Sequence, residues 1–206
     1  MKTFENKLYS YKMRHDTRFA PNPLFGVLTL ATCKPSMRRN MQIGNWIAGW
    51  TSKTLKNFPT NIGEERLIYL ARVTKKLTYP EYWEQYPEKR PGNWDDPHVD
   101  SYHGDNIYEP APNCIPAPLN PNTFILHENS HHKTPEKKVK DLKGGYVLIC
   151  EEFYYFSCLT PLEIPTVIRP NIPKVQTSYG VITEDASEFI NYVQQHAKQC
   201  KYTDAK

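Results

Sequence analysis

The sequence predicts an α+β fold made mainly of antiparallel strands, on three observations. Short runs rich in Tyr, Ile, Val and Thr recur along the chain, helix signals are few, and the strongest helical pattern comes last. Leu8–Met13 is the first strand, and Val27–Thr32 alternates as a half-buried strand should. Between them, the segment 19–35 places Pro21 and Pro23 around Asn22 and a permissive Gly26 before that strand, so a stiff loop leads into it. Ser36–Gln42 reads as a short basic helix running to a turn at Gly44, followed by strands at Trp46–Thr51 and Arg66–Thr74. Pro80–Tyr86 carries a proline in its first turn and is expected to be helical. Further strands are expected at Tyr146–Cys150, Phe153–Ser157 and Glu163–Ile168. Over 184–200, Asp185 with Glu188 reads as a capping box, and Phe189, Val193, Ala197 and Cys200 form one stripe of an amphipathic C-terminal helix.

Two long polar stretches interrupt this order. Residues 79–119 hold eight acids against two bases together with Tyr82, Trp83, Trp94, Tyr102 and Tyr108. Disordered segments are poor in aromatics, so this stretch is read as an ordered lid. His127–Lys143 alternates charge and is read as a solvated loop or hairpin tip.

The blocks FAPNPLFGVLTLATCKPSMRR at 19–39, IGNWIAGW at 43–50, LIYLARVTKKLTYPEYW at 67–83, GDNIY at 104–108 and VLICEEFYYF at 147–156 together resemble the nucleotide modification associated domain 2 family of phages and bacteria. Where that pattern has Gly-Asp before the Trp, this chain has Gly44-Asn45, so a role for that carboxylate is absent. The resemblance implies association with nucleotide or base modification and supplies no established reaction. The order from Met37 to Val73, a basic turn, a glycine turn and a Trp-bearing strand, also resembles the PUA-like β-barrels, including the EVE and YTH base readers.

At 206 residues and 24.0 kDa the chain is expected to form a single domain, 1–206. No apolar run approaches membrane-spanning length and the N-terminus lacks a signal peptide's apolar centre, so a cytoplasmic protein is expected, in the host cytoplasm if phage-encoded. Five widely spaced cysteines with no CxxC pair argue for reduced thiols. The formal charge of +4 divides into +8 over residues 1–60 (ten bases, two acids) and −4 over 61–206 (sixteen bases, twenty acids). That split suits a small anionic ligand or one flipped nucleotide better than duplex DNA.

A base-reading pocket needs aromatic faces and polar edges. Phe25 and Trp50 offer faces; Asn22, Thr32, Ser52 and Asn106 offer edges; Lys34, Arg38 and Arg39 suit phosphate; His103, Asp105 and Tyr108 complete the candidate wall. Trp46 and Trp50 share a strand face and read equally as core. His103-Gly104-Asp105-Asn106 offers a general base, or simply a capped turn. Cys33, beside Lys34, stands open between a nucleophile and a small apolar filler. His127-Glu128-Asn129-Ser130-His131 spells H-E-x-x-H, but Asn129, Ser130 and Pro135 oppose the helix a zinc site requires, so neither metal nor cofactor is expected. P-loop, Rossmann and hydrolase motifs are absent.

The reading that follows is a domain that binds a nucleotide, or a flipped and modified base in nucleic acid, between the 19–35 loop, the 46–52 strand and the 102–108 lid. An enzyme acting on that nucleotide or base, and an anti-defence sponge for a phage that sequesters a signalling nucleotide, are the alternatives.

Overall fold

In a computed structural model, residues 6–53, 55, 63–92, 104–112, 114, 119–176 and 180–197 are described. They form an α+β fold with mostly antiparallel sheets, divided into two compact units. The first takes its described residues from Met1–Asp16, Gln42–Thr74 and Cys150–Lys206, the second from Thr17–Met41 and Lys75–Ile149.

The first unit is built on five strands: β1 (Leu8–Lys12), β3 (Trp46–Trp50), β4 (Leu67–Arg72), β9 (Glu152–Tyr155) and β10 (Val181–Thr183), in the order β10-β1-β3-β4-β9. Every pairing is antiparallel except β1 with β3, which run parallel. Successive strand residues point to opposite faces, so Leu8, Trp46, Ala48, Trp50, Leu67 and Leu70 share a core with helix α4 (Ser187–Ala197). That helix contributes Phe189, Ile190, Val193 and Ala197, and Asp185 accepts the Ser187 N–H at its start (3.1 Å). The Trp50 and Phe189 rings lie 5.5 Å apart. Gly49, on the opposite face of β3, leaves room for the Tyr69 ring, whose hydroxyl donates to Tyr11 Oη at 2.8 Å.

The second unit holds β2 (Leu28–Leu30), β5 (Lys75–Leu77) and β8 (Val147–Cys150, except its last residue) in the order β2-β8-β5, and a separate antiparallel pair, β6 (Tyr108–Pro110) with β7 (Phe124–Leu126). Its helices are α1 (Pro35–Asn40), α2 (Tyr79–Gln85) and α3 (Pro135–Leu142). A full capping box starts α2: Thr78 Oγ1 accepts from the Glu81 N–H and Glu81 accepts the Thr78 N–H. Tyr79 and Tyr82, three apart on this helix, both point into the core.

Three expectations are corrected. The sheets do not close into a barrel among the described residues. Within the stretch read as solvated loop, residues 135–142 are helical, because Thr134 caps the Lys137 N–H and Pro135 opens the first turn, where its missing donor costs nothing. Thr166–Ile168 is a 3-10 turn rather than strand, and Pro161 and Pro165 beside it have no ladder donor to give.

The packing at Gly49 makes a direct prediction. A methyl there would stand 2.3 Å from Tyr69 Cε1 and 2.5 Å from Met13 Sδ. Gly49→Ala is therefore expected to lower stability by about 1–3 kcal/mol, read from urea unfolding.

Candidate thiol site of the second unit

β2 runs out at Leu30, and the chain turns into α1 through two successive non-glycine residues in the left-handed region, Cys33 (φ 59°) and Lys34 (φ 41°). Such a conformation is costly for residues with a Cβ and persists only where surroundings impose it. Here they do. Asp141 Oδ1, on α3, accepts the Cys33 N–H at 2.8 Å, and Arg38 Nε, on α1, donates to the Cys33 carbonyl at 2.8 Å.

The same Asp141 reaches further. Its Oδ2 accepts the Tyr108 hydroxyl at 2.7 Å and meets His132 Nδ1 in a short hydrogen bond. The other ring nitrogen, His132 Nε2, stands 3.5 Å from Cys33 Sγ. A half-buried thiol, a buried imidazole and a buried carboxylate thus lie in line. Burial opposes charge on His132, but the hydrogen bonds and negative charge of Asp141 and the Cys33 sulfur outweigh it, and its pKa is pushed up to about 9. Asn129 fixes the backbone of the segment: its Oδ1 accepts the His131 and His132 N–H groups (3.0 and 2.5 Å) and its Nδ2 donates to the His127 and His132 carbonyls (3.1 and 3.0 Å). Phe19 packs against the His132 ring at 5.3 Å between centroids.

Arg38 holds this arrangement from below. It is fully buried, and besides the Cys33 carbonyl it donates to the Tyr146 carbonyl (2.5 Å), the Asp141 carbonyl (2.6 Å) and the Tyr79 hydroxyl (2.8 Å). The Tyr79 proton lies within reach of the Ala31 and Asp141 carbonyls at 2.8 and 2.9 Å. A Cβ on Gly144 would stand 2.4 Å from Arg38 Nη1, so that position is closed to any side chain.

Beside it lies a second buried polar cluster. Lys89 Nζ donates to the carbonyls of Asn22 and Val27, to Asn22 Oδ1 and to Thr29 Oγ1, at 2.6 to 3.1 Å. Thr29 in turn donates to Asp105 at 2.8 Å, and Tyr82 to the other Asp105 oxygen at 2.6 Å. Burial raises the Asp105 carboxyl above its ordinary range, against the pull of Lys89 and those donors. This cluster ties the 19–29 loop to α2 and leaves its members without an exposed face.

The residues singled out from sequence fall as follows. Asn22 and Asp105 are buried in the lysine cluster, and Asn106 donates to the Tyr82 and Tyr86 carbonyls at 3.1 and 3.0 Å. Arg38 and Tyr108 are buried around the thiol site, with Thr32 and Lys34 flanking Cys33 in the chain. Arg39 is exposed and donates to the Lys143 carbonyl, and Phe25 is exposed. Trp50 and Ser52 belong to the first unit; Trp50 is core and Ser52 donates to the Met13 carbonyl at 2.6 Å. His103, with Trp94 and Tyr102 of the expected lid, lies outside the described residues. The H-E-x-x-H segment is not helical: His127 turns to Glu109 at 2.6 Å. His132, Asp141, Asn129 and Tyr79 were not singled out as site residues; the only pointer to the first was the cluster of histidines at 127–132.

The family model for nucleotide modification associated domain 2 matches residues 5–205. No curated protein matches the chain, and no solved structure does.

Two predictions follow from the geometry. Arg38→Met removes the donor met by the Cys33 and Tyr146 carbonyls and the Tyr79 hydroxyl, while the Asp141 carbonyl keeps the Gly144 N–H at 2.9 Å, and should lower stability by about 1–3 kcal/mol, whereas exposed Arg39→Ala should change it by less than about 0.5 kcal/mol, both read by urea unfolding. His132 has a folded pKa of about 9 against an ordinary 6.5, so the stability it contributes is complete below 6.5 and is lost as pH rises through about 9. Burial pulls Lys34 down to about 8, which gives the opposite slope in that range, so the difference between wild type and His132→Gln isolates the histidine.

Proposed function

The chain belongs to the nucleotide modification associated domain 2 family, and we propose that it is a thiol enzyme acting on a nucleotide or nucleobase, with Cys33 as nucleophile, His132 as proton carrier and Asp141 as the anchor of that histidine. The observation that carries this is the Cys33–His132–Asp141 line itself. A buried histidine held by a carboxylate is often purely structural, but here its other nitrogen faces a half-buried sulfur on a strained turn. An imidazolium beside a cysteine is the setting from which enzymes draw a thiolate. Asp141 keeps Nδ1 occupied, so the mobile proton sits on Nε2.

The surroundings suit an anionic substrate. Lys34 follows Cys33 directly, and among the described residues of the same unit Arg39, Lys75, Lys133, Lys137, Lys140 and Lys143 are exposed, against exposed Glu81, Glu84, Glu128 and Glu136. The nucleotide or flipped base expected from sequence is then the substrate, with its phosphate met by these cations.

The test has two parts. Iodoacetamide should alkylate Cys33 at least about tenfold faster than the similarly half-buried Cys114, and His132→Gln should remove the advantage. Incubation with nucleotides and with modified DNA should yield an altered product by mass spectrometry, lost in Cys33→Ser. Equal labelling of the two cysteines would overturn the assignment, and recovery of an unaltered, tightly held nucleotide would point to sequestration instead.

A further inference from the structure

Building on Cys33 as the nucleophile, we infer that the reaction is acyl transfer: the sulfur takes an acyl group from an amide or ester carried by a nucleotide or by a base substituent and passes it to water or to an acceptor amine. Three features of the site select this chemistry.

The first is the fixed orientation of the proton carrier. Asp141 accepts from the Cys33 N–H and from Tyr108 as well as holding His132 Nδ1, and Asn129 clamps the His132 backbone on both sides. The ring has one working nitrogen, and it stands at the sulfur. Addition to an acyl carbon followed by loss of a leaving group needs a proton delivered beside the nucleophile. Addition of a thiol to a pyrimidine ring carbon instead needs a proton on a ring heteroatom or carbon displaced from the sulfur.

The second is the state of Arg38. A cysteine that attacks phosphorus relies on donors ringed around the phosphoryl oxygens. Arg38, five residues after Cys33, points all its described bonds inward to three carbonyls and a tyrosine, and the Cys33 N–H is held by Asp141. Neither faces a phosphoryl group at the sulfur.

The third is Lys34. It follows the nucleophile directly on the same left-handed turn and is half-buried, which keeps a cationic residue next in the chain to the sulfur where an acyl oxygen becomes negative.

The steps balance without an outside oxidant or reductant. The Cys33 proton rests on His132 Nε2, and the thiolate forms the S–C bond at the acyl carbon as the carbonyl π pair moves to its oxygen. The bond from that carbon to the leaving nitrogen or oxygen then breaks, and Nε2 returns the proton to the leaving group. Water or an amine attacks the thioester and gives its proton to Nε2, and the C–S bond breaks to release the thiolate, which restores the starting thiolate–imidazolium pair.

The experiment uses p-nitrophenyl acetate as an acyl probe and a 5-fluoropyrimidine nucleotide as a ring-addition probe, on the full chain. The expected result is a burst of p-nitrophenolate, one acetyl group on Cys33 by peptide mass spectrometry, and catalytic deacylation that falls at least about tenfold in His132→Gln. Lys34→Gln, with folding checked by its urea unfolding midpoint, should lower the acylation rate about tenfold while leaving iodoacetamide labelling within a factor of about three. Rapid, His132-dependent alkylation of Cys33 with no thioester turnover, or a stable fluoropyrimidine adduct, would overturn acyl transfer and leave the nucleophile in place. Loss of the enhanced alkylation itself would remove both.

Discussion

One guanidinium organises the second unit. Arg38 enters the interior without a carboxylate on its own donors and is met by the carbonyl dipoles of Cys33, five residues before it, and of Asp141 and Tyr146, more than a hundred residues on, with the Tyr79 hydroxyl closing the set. A planar fork with five donors can satisfy acceptors that diverge in this way, and an ammonium cannot. The left-handed turn at Cys33, the position of α3 and the bare backbone at Gly144 all follow from accommodating that group.

The two buried polar clusters of this unit divide the labour. Lys89 with Asp105 fastens the proline-stiffened loop to α2, and every member is enclosed. The cluster on Asp141 differs because one end reaches the thiol of Cys33, a residue that is only half-buried. Both draw on α2, whose capping box sets the phase that sends Tyr79 toward one cluster and Tyr82 toward the other. A buried polar network that is fully satisfied rigidifies its surroundings, and the enclosed cluster does so for the open one.

Much of the architecture is legible from residue pattern alone. The aromatic-rich runs Leu8 to Lys12 and Trp46 to Trp50, the proline-initiated α2 and the stripe of Phe189, Val193 and Ala197 each state their element locally. The site is legible only in part. Cys33 stands out beside Lys34, and Tyr108, Arg38 and Lys34 sit in conspicuous blocks, but the partners that give the cysteine its setting are about a hundred positions away. His132 hides behind a zinc-like spelling, and Asp141 lies in a lysine-rich run that looks solvated. Pro135 is ambiguous by nature: it ends a helix that precedes it and opens one that follows, and only tertiary packing decides. The Asn22 loop, expected from its prolines to hold a ligand, holds the Lys89 ammonium of its own chain.

The long sequence separations at Arg38 bear on when this protein becomes reactive. Its bonds span 103 residues to Asp141 and 108 to Tyr146, and the Cys33 N–H reaches its carboxylate across 108. Contacts of that range are closed late, because loop-closure entropy must be met before they yield any return. A nascent or partly unfolded chain therefore displays Cys33 as an ordinary thiol, with its histidine still dispersed along the polypeptide. The Cys33–His132–Asp141 arrangement therefore assembles only with the completed tertiary structure.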